Sequence, residues 1–556
     1  MSTSLSLRPW QRAAFDQFAA SPEADFLAVA TPGAGKTTLA LTCARWVLAQ
    51  QRRKLVVVAP TSHLKKQWAL AAHRLGLELD PDWTPAGGLA RDVHGLVTTY
   101  QQVATGDTAE RLRGLMADGF VILDEIHHAG SERAWGDAIS QAFGLTHRRL
   151  ALSGTPFRSD TAAIPFVRYL AEEAWPDFTY GYADALRDGG VVRPVYFPRI
   201  DGMMEWTAPD GSLESATFED ALDAGRASQR LRTALSLEGE WLPAVLAQAH
   251  ERLTRIRHDQ PDAGGLVIAT DVDHARGIAR LLRDRLRTTA EVVVSDDPTA
   301  SDKIAKFGAG TSPWLVAVRM VSEGVDIPRL RLGVYATTVS TELFFRQAVG
   351  RFVRWTAGRP SQKAYVYIPD DARLRAHAFQ IADARRHVLR KASEDLDEEF
   401  RREQDPDEAA AEFDQLGDPE QLSLFSVVSA VATGVRVHAF TSDGMSFDDE
   451  PDVPEPAFAE DPTLSIELPD VPTEAGWVGT ASGSNLSVAE RKEQLRLQNA
   501  EVARRLVDLT GWGHARVNGE MNRLAGLGSV MSATTDQLER RLRYSESWLR
   551  KLRSRT

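Results

Sequence analysis

The sequence predicts an α/β protein with two tandem doubly wound units, each built on a parallel sheet. Two series of short apolar runs, separated by longer helical patterns, support this prediction. Runs that are apolar throughout are typical of parallel strands buried on both faces. The first series is FLAVA (26–30), LVVVAP (55–60), GLVTT (95–99), FVILDE (120–125) and RRLALSG (148–154). The second is GLVIAT (265–270), EVVVS (291–295), WLVAV (314–318), LGVYAT (332–337) and AYVYIP (364–369).

Composition and cysteine content predict a cytoplasmic protein. The chain has 556 residues, of which 43% are hydrophobic and 26% charged, as in ordinary globular proteins. No apolar run reaches the length of a membrane span, so no membrane partner is expected. The first residues, MSTSLSLRPWQ, lack the basic and apolar blocks of a secretory signal. The single cysteine, Cys43, excludes an internal disulfide and fits a reducing compartment.

Charge is distributed unevenly and indicates the segments of the chain. The net charge is −12, yet residues 394–462 hold 21 Asp and Glu against 3 Arg, and residues 487–556 hold 14 Lys and Arg against 8 Asp and Glu. An acidic, proline-rich stretch cannot bury enough apolar surface to offset chain entropy, so it is predicted to be largely disordered. We predict a nucleotide-binding unit (1–195), a helical insertion (196–262), a second unit (263–400), an acidic flexible linker (401–486) and a small basic helical module (487–556).

Leucine spacing supports the helical module at the C-terminal end. Leu495, Val502, Leu506 and Leu509 recur at the spacing of one helix face, and Leu538, Leu542, Leu549 and Leu552 repeat that spacing. Two amphipathic helices are therefore predicted, on either side of GWGHARVNGEMNRLAGLGS. The module's basic charge leaves three alternatives open, which are nucleic-acid binding, docking on the rest of the chain and a plain solvated surface.

A glycine-rich stretch follows the first apolar run, ATPGAGKTT (30–38). Glycines let the backbone turn so that its N–H groups face phosphate oxygens, and the following helix N-terminus favours anions. Lys36 can then reach the β- and γ-phosphates, and the Thr37 hydroxyl can bind Mg²⁺. The pattern usually opens with glycine, whereas this chain has Ala30. The predicted nucleotide-binding residues are Thr31, Gly33, Ala34, Gly35, Lys36, Thr37 and Thr38.

Two carboxylates directly follow the apolar strand in VILDEIHHAG (121–130). Residues at the carboxyl end of a parallel strand stand where α/β sheets bind ligands. Asp124 suits the shell of Mg²⁺, and Glu125 suits orienting and deprotonating an attacking water. His127 and His128 have no further ligand at a suitable spacing, so a zinc site is not predicted.

The second unit contributes FFRQAVGRFVR (344–354). On a continuous helix, Gln347, Arg351 and Arg354 would share one face. Two guanidinium groups and an amide on one face suit an anion, and the γ-phosphate of ATP is the obvious one. An arginine supplied to a transferring phosphoryl group accelerates hydrolysis by roughly 10³–10⁵-fold. We therefore assign all three residues to catalysis.

These motifs, in this order, resemble those of a superfamily 2 helicase of the DExH type. The series comprises LRPWQ, ATPGAGKT, APTSHLKKQW, VTTYQQ, LDEIHH, LSGTPFR, RMVSEGVDIP and QAVGRFVR, and it spans roughly residues 1–370. The branch that it resembles includes the type III restriction translocases and the XPB-like DNA helicases. The resemblance implies two RecA-like lobes that close on ATP and Mg²⁺ and step along a strand by contacts to its backbone.

The resemblance also implies roles for individual residues. Gln11 matches the glutamine that reads adenine, with Arg8 beside it. Ser153, Gly154 and Thr155 match the motif that couples hydrolysis to strand movement, and Gly324 and Asp326 match one that touches nucleotide and nucleic acid. Four further residues fall in segments that contact the nucleic-acid backbone, although single Thr and Lys residues also serve as helix caps or solvated surface. They are Thr61, Lys65, Thr99 and Thr270.

The predicted function is an ATP-dependent DNA helicase or translocase acting in replication, repair or phage-type defence. Its contacts to DNA are expected to go to the backbone, without sequence specificity. An RNA helicase and a translocase subunit of a restriction-type complex are the alternatives, and a non-motor, nucleotide-gated scaffold is a third. The core motifs alone do not decide between DNA and RNA.

An apolar pentapeptide interrupts the acidic linker. Gln421, Leu422, Ser423, Leu424 and Phe425 are similar to the short peptide by which many bacterial replication and repair proteins bind the sliding clamp. The resemblance implies polar contacts for the glutamine and an apolar cleft for the leucines and phenylalanine. The alternative is a strand or helix packed on the second unit.

Overall fold

The computed structural model describes most of the two units and part of the C-terminal segment. The described residues are 2–50, 53–130, 133–154, 163–170, 173–200, 202–208, 213–294, 297, 299–318, 327–356, 358–359, 362–386, 388, 437–438, 463–475 and 486–553. Predicted site residues Thr155, Gly324 and Asp326 lie outside these ranges, as does the pentapeptide 421–425.

The chain divides into two compact units. The first comprises Met1–Thr31, Gly35–Tyr180 and Pro462–Thr556, and the second comprises Pro32–Ala34 and Gly181–Asp461. The break at Tyr180 lies earlier than the predicted boundary at residue 195. The first unit also takes in the C-terminal segment, which the predicted organisation treated as separate.

The first unit is built on a seven-stranded sheet in which every neighbouring pair is parallel, in the order β10-β2-β7-β6-β3-β5-β4. The central strands are buried along their length, because helices cover both faces. The strands of this sheet are β2 (Asp25–Ala30), β3 (Leu55–Ala59), β4 (Leu79–Asp80), β5 (Gly95–Thr99), β6 (Phe120–Leu123), β7 (Arg148–Ser153) and β10 (Phe178–Tyr180). Three more strands of the first unit stand outside it, namely β1 (Ser2–Leu7) and the hairpin of β8 (Tyr169–Leu170) and β9 (Glu173–Ala174).

Helices follow the strands of this sheet, as doubly wound units require. They are α1 (Pro9–Ala20), α2 (Lys36–Gln50), α3 (Ser62–Arg74), α4 (Tyr100–Val103), α5 (Thr108–Met116) and α6 (Arg133–Phe143), with a short 3-10 helix at Ile126–Gly130. Helices α2, α3 and α4 begin at or close after the carboxyl ends of β2, β3 and β5, so their N-termini lie at one edge of the sheet.

The second unit has a larger sheet, in the order β16-β17-β15-β18-β19-β12-β20, with β11 also paired to β19. Its pairs are parallel except β12 with β20. Its strands and a separate hairpin (β13–β14) are β11 (Val195–Tyr196), β12 (Arg199–Ile200), β13 (Met203–Thr207), β14 (Leu213–Thr217), β15 (Gly264–Ala269), β16 (Ala290–Val293), β17 (Trp314–Val318), β18 (Leu330–Ala336), β19 (Ala364–Pro369) and β20 (Val437–His438).

The helices of the second unit complete its layers. They are α7 (Tyr182–Arg187), α8 (Ala224–Ala234), α9 (Trp241–Asp259), α10 (Val272–Leu286), α11 (Ala300–Ala309), α12 (Glu342–Val349) and α13 (372–386). Among the residues that the structure describes, no helix has both the length and the apolar character needed to cross a bilayer.

The predicted fold class is confirmed. All ten apolar runs form strands, at nearly the predicted bounds, in two mainly parallel sheets. The segment 196–262 differs from the predicted helical insertion, because it also holds β12 and the β13–β14 hairpin. Short strands such as β12 carry too few residues for an alternation to be visible in the sequence.

The predicted helix face that joins Gln347, Arg351 and Arg354 is wrong. Helix α12 ends at Val349, and Arg354 forms an isolated bridge with a strand-like segment at Val192. The intervening Phe352 is fully buried, and its ring lies so close to β18 that a Cβ on the glycine there would be 2.6 Å from it. The chain leaves the helix after Val349 and so brings this ring against β18.

The described residues of the C-terminal segment, 463–475 and 486–553, form three helices and a strand. They are β21 (Leu464–Pro469), α14 (Val488–Thr510), α15 (His514–Ala525) and α16 (Thr535–Arg553). Leu506 and Leu538 are fully buried as predicted, whereas Leu509 is 41% exposed. The prediction of two helices missed α15, because glycines before, within and after it (Gly513, Gly519 and Gly526 among them) obscured the pattern. The prediction of a flexible linker up to residue 486 is wrong for β21, which pairs antiparallel with β1.

Candidate functional site

The lysine of the glycine-rich loop stands at the carboxyl edge of the first sheet. Strand β2 ends at Ala30 and α2 begins at Lys36, as the sequence predicts. The Lys36 ammonium donates to the Ala30 carbonyl (3.1 Å) and lies 3.3 Å from Glu125 Oε1. The structure therefore brings together two site residues that are far apart in the sequence.

Two glycines shape the loop between β2 and α2. Gly33 and Gly35 have φ angles of +85° and +99°, which side chains of L-residues rarely adopt. A Cβ on Gly35 would lie 2.7 Å from the side-chain nitrogen of Gln11, so glycine is also required for this contact. Gln11 is 4% exposed, and its Nε2 donates a hydrogen bond to the Gly35 carbonyl (3.0 Å). Its Oε1 accepts the backbone N–H of Arg8 (2.9 Å).

The other predicted loop residues lie beside these groups. Thr31 is buried, and its backbone N–H donates to the Tyr180 carbonyl (2.9 Å). Ala34 is fully buried, while Thr37 and Thr38 occupy the first turn of α2. The Thr38 N–H donates to the Gly35 carbonyl (3.1 Å), which closes the turn that begins the helix. All seven predicted loop residues thus lie between the end of β2 and the first turn of α2.

Asp124 follows β6 and is held by two aromatic side chains. The Trp68 indole N–H donates to Asp124 Oδ2 (2.9 Å), and the Tyr100 hydroxyl donates to the Asp124 backbone carbonyl (2.9 Å). The Asp124 N–H extends the sheet pairing by donating to the Val58 carbonyl (2.9 Å). The carboxylate is therefore fixed in both backbone and side chain.

Glu125 adopts a left-handed backbone conformation, with φ at +47°. This conformation is uncommon for a residue other than glycine and concentrates at functional sites. It lets the side chain reach across to Lys36 and to the end of β7, where Glu125 Oε2 accepts the Gly154 N–H (3.0 Å). His127 Nδ1 lies 3.7 Å from the same oxygen and 3.4 Å from Ser153 Oγ.

The two neighbouring carboxylates have opposite electrostatic environments. Burial, and then the charge of Glu125, raise the pKa of Asp124 to about 6. Burial would also raise the pKa of Glu125, but Lys36, His127 and the Gly154 N–H outweigh it and lower that pKa to about 2. Burial lowers the pKa of His127 to about 4, so its imidazole is neutral at neutral pH.

These residues suit a nucleoside triphosphate and a magnesium ion by their chemistry. The carboxylate of Asp124 and the hydroxyl of Thr37 are the oxygen ligands that Mg²⁺ prefers. The pKa of Asp124 is raised because the nearby positive charge is too weak to offset the burial of the carboxylate. A bound divalent ion would supply the missing positive charge. Gly33, Gly35 and the N-terminus of α2 form a loop of the kind that cradles phosphates.

Three predicted nucleic-acid contacts lie at or after the carboxyl ends of two neighbouring strands of the first unit. Thr61 precedes α3 after β3, and Thr99 ends β5, the parallel partner of β3. The Thr99 hydroxyl caps α4 by accepting the Gln102 N–H (3.1 Å), and the Lys65 ammonium donates to Gln102 Oε1 (3.2 Å). Lys65 and Thr99 are thus linked through Gln102, and Thr99 acts as a helix cap.

The remaining predicted site residues that the structure describes belong to the second unit. The Thr270 hydroxyl follows β15 and donates to the Ala336 carbonyl at the end of β18 (3.3 Å). Gln347 lies in α12, Arg351 in the turn that follows, and Arg354 in its bridge with Val192.

Sequence reasoning missed Trp68, Tyr100 and Gln102. Trp68 lies inside the quoted string APTSHLKKQW, and Tyr100 and Gln102 lie inside VTTYQQ, yet nothing in their spacing links them to Asp124 or Lys65. Their roles depend on α3 and α4 following adjacent strands, which is a property of the sheet order. A buried indole or phenol that needs a hydrogen-bond partner is the one general signal available.

The opposite pKa shifts predict opposite effects of removing the two charges. In the unfolded chain Asp124 has an ordinary pKa, so the folded state loses stability as pH rises from about 4 to 6. Asp124→Asn should therefore stabilise the nucleotide-free protein at pH 7.5 by roughly 1–3 kcal/mol. Glu125 contributes stability above pH 4.5, lost only as pH falls towards 2, so Glu125→Gln should destabilise at pH 7.5.

Thermal unfolding in EDTA at pH 7.5 and pH 4.5 measures both effects. The gain from Asp124→Asn should shrink towards zero at pH 4.5. Destabilisation by both variants at pH 7.5 would contradict the assignment of opposite environments.

Comparison with known proteins gives one family match and several relatives. Residues 4–158 match the family model described as "Type III restriction enzyme, res subunit". The chain is 48% identical over 390 residues to "Uncharacterized protein Rv2917" of Mycobacterium tuberculosis, covering 69% of this chain and 64% of that protein, so the match spans less than two thirds of the relative. It is 26% identical over 346 residues to "DNA 3'-5' translocase XPB2" of Sulfurisphaera tokodaii, covering 58% of this chain and 73% of that protein.

A third relative aligns along nearly the whole chain. "Uncharacterized protein ML1624" of Mycobacterium leprae is 38% identical over 567 residues, covering 96% of this chain and 93% of that protein. The matched res-subunit model and the relatives show that the N-terminal part is helicase-like, of the superfamily 2 kind. The chain therefore belongs to the family of the Mycobacterium leprae protein ML1624.

Proposed function

We propose that the protein is an ATP-dependent DNA helicase or translocase, which couples ATP hydrolysis to movement along DNA in replication, repair or phage-type defence. The observation that carries the proposal is the pairing of Lys36 with Glu125 (3.3 Å) beside Asp124, at the carboxyl ends of β2 and β6. A phosphate-binding lysine, a metal-binding carboxylate and a base side by side are the groups that phosphoryl transfer needs.

Each residue has a proposed role in that reaction. Lys36 would bind the β- and γ-phosphates, while Thr37 and Asp124 would hold Mg²⁺, which neutralises developing charge on the phosphates. Glu125 would orient and deprotonate the attacking water. When phosphates draw Lys36 away from Glu125, the main attraction that lowers the pKa of Glu125 is lost, so Glu125 becomes a stronger base.

The remaining predicted residues extend this proposal. Gln11 would read adenine beside Arg8, and Ser153, Gly154 and Thr155 would transmit the state of Glu125 to the nucleic acid. The contact of the Gly154 N–H with Glu125 supports the second role. For the second unit we propose that Arg351 and Arg354 stabilise the transferred phosphoryl group, with Gln347 assisting. Gly324 and Asp326 are proposed nucleotide contacts in the same unit.

For the nucleic acid we propose backbone contacts by Thr61, Lys65, Thr99 and Thr270. Thr61 and Thr99 stand at the carboxyl ends of β3 and β5, and Lys65 of α3 donates to Gln102 of α4, which supports a shared surface. DNA is favoured over RNA by the similarity to a DNA translocase. A translocase subunit of a restriction-type complex is the second candidate, favoured by the res-subunit model that matches residues 4–158.

ATP hydrolysis with different nucleic acids tests the proposal. The rate should rise with single-stranded, duplex or forked DNA and should rise less with RNA. Lys36→Ala and Glu125→Gln should each lower kcat by at least about a hundredfold, because each removes a group that acts on the transferred phosphoryl.

A matched control is Lys66→Ala, since Lys66 is an exposed lysine on α3. It pairs with Glu493, and the two side chains are 71% and 55% exposed. The rate of this variant should equal that of the wild type. Stimulation by RNA alone would reject the DNA proposal, and activity that survives Lys36→Ala would reject the site.

We further propose that α16 contributes to DNA binding. Arg540, Arg543 and Arg550 are exposed along one side of this helix, with Tyr544 (49% exposed) among them. In the described part of the chain none of these arginines has a carboxylate within ion-pair distance. Unpaired cations interleaved with an aromatic ring suit a phosphodiester backbone and unstacked bases.

Replacing Arg540 and Arg543 with glutamine should therefore weaken DNA binding and its salt dependence. The slope of log K against log salt should fall by about 1 for each arginine lost, because fewer counterions are released. Arg504→Gln/Arg505→Gln is the matched control, since these exposed arginines of α14 both pair with Glu501. Equal slopes for the two double variants, measured by fluorescence anisotropy, would reject a special role for α16.

The pentapeptide Gln421–Phe425 is proposed to bind a bacterial sliding clamp. Its support is the sequence resemblance, set in a strongly acidic stretch. Leu424→Ala/Phe425→Ala should abolish capture of purified clamp by the protein, because two apolar contacts worth roughly 1.5–3 kcal/mol each are removed. ATP hydrolysis should be unchanged. Equal capture by wild type and variant, measured by surface plasmon resonance, would reject this partner.

A further inference from the structure

The N-terminal arm of the first unit pairs with a strand from the far end of the chain. β1 (Ser2–Leu7) stands outside the seven-stranded sheet, and its one strand partner in the described residues is β21 (Leu464–Pro469). Six residue pairs join them, and the opposing Leu5 and Ile466 are both buried. The position of the arm therefore depends on residues of the C-terminal segment.

This arm leads directly to the nucleotide loop. Arg8 follows β1 and precedes α1, and its N–H donates to Gln11 Oε1 (2.9 Å). The other end of the same amide, Nε2, donates to the Gly35 carbonyl (3.0 Å). Both ends of the Gln11 amide are thus fixed, one by the arm and one by the loop. A shift of β1 would move Gln11 relative to Gly35.

The same C-terminal segment also holds α2, the helix that begins at Lys36. The guanidinium of Arg45, in the middle of α2, is 2% exposed. It donates to the Pro469 carbonyl (3.0 Å) and lies 3.6 Å from Asp470 Oδ1, in a segment 424 residues later in the chain. A second nitrogen of Arg45 donates to the Leu75 carbonyl (3.0 Å). Arg45 therefore ties α2 to the segment and to the end of α3.

Two further bonds anchor this segment to the first unit. His94 Nδ1 accepts the Glu78 N–H (2.8 Å), so Nε2 carries the proton that is donated to the Val471 carbonyl (2.6 Å). Burial lowers the pKa of His94 to about 4, which keeps this neutral tautomer at neutral pH. The Ala475 N–H donates to the Arg91 carbonyl (2.8 Å). Residues 463–475 are named the strap.

We propose that the strap positions the ATP site, by holding Gln11 and helix α2 in place relative to the phosphate loop. Affinity for ATP and selectivity for adenine then depend on residues that do not touch the nucleotide. This inference rests on the proposed ATP-binding function and assigns the strap a positioning role within it.

Releasing the strap tests the inference. Ile466→Asp/Leu468→Asp places two carboxylates at buried positions of β21 and should detach it from β1. The Kd for ATP should rise about tenfold and the preference for ATP over GTP should fall by a similar factor, while kcat at saturating ATP stays within about twofold of wild type. Leu497→Asp/Leu509→Asp is the matched control, because these leucines of α14 are already exposed.

A reversible disulfide separates positioning from general loss of folding. Ser6 and Ser465 are exposed and directly opposite in the ladder. The Cα separation of about 4.5–5.5 Å in antiparallel pairs suits a disulfide. The single native cysteine, Cys43, is buried. Ser6→Cys/Ser465→Cys is added to the released variant, and oxidation should return its Kd for ATP and its ATP preference to nearly wild-type values.

Titration calorimetry with ATP and GTP distinguishes the outcomes. A wild-type protein that binds no ATP would reject the proposed function itself. If wild type binds ATP, an unchanged Kd in the reduced variant, with the backbone amides of β21 shown by hydrogen exchange to be released, would overturn the strap's role. Binding that is lost and does not return once the disulfide has formed would also overturn it, because restored pairing of β1 with β21 would then fail to restore the site.

Discussion

The register of three parallel strands, β2, β7 and β6, is the constraint on which the rest of this structure depends. β7 lies between the other two, and its pairing sets Ser153 opposite Val29 and Ala151 opposite Leu123. The strands therefore end together, and the residues that follow them meet. A slip of one residue would turn each side chain to the other face of the sheet. The 3.3 Å ion pair of Lys36 with Glu125 exists because this register is kept by fully buried strands.

The same edge of the sheet creates an electrostatic difference between adjacent residues. Asp124 and Glu125 are consecutive, yet burial raises the pKa of one while Lys36, His127 and a backbone N–H lower the pKa of the other. The left-handed backbone at Glu125 makes this possible, because it sends the two side chains in different directions. Asp124 meets the Trp68 indole, and Glu125 meets Lys36 and the end of β7. Carboxylates with separated pKa values are suited to different roles in one reaction.

Sequence reasoning succeeded where a local pattern is enforced by burial on both sides. The strands and the start of α2 at Lys36 fall in this class. An apolar run indicates a buried strand, and the glycines after it indicate the turn that precedes the helix. It failed where a distant contact decides the local structure. The end of α12 is set by the burial of Phe352 against β18, and β21 is ordered because β1 supplies its partner. The partners of Asp124 were missed for the same reason, because Trp68 reaches it only through the sheet order.

The C-terminal segment shows how a charged, partly acidic stretch becomes part of a folded unit. Lys492 and Asp92 form an ion pair (2.7 Å) with side chains only 3% and 8% exposed, and Asp92 also accepts the N–H and hydroxyl of Thr535. Breaking a buried pair by removing one partner is costly, whereas an exposed pair contributes little. The hydrogen bonds and charges of this buried pair are matched in one arrangement of the helices only. The pair therefore fixes where α14 and α16 pack on the first unit more than it adds to the free energy of that packing. Overall charge suggested a separate basic module, but the charges that decide its position are these few buried ones.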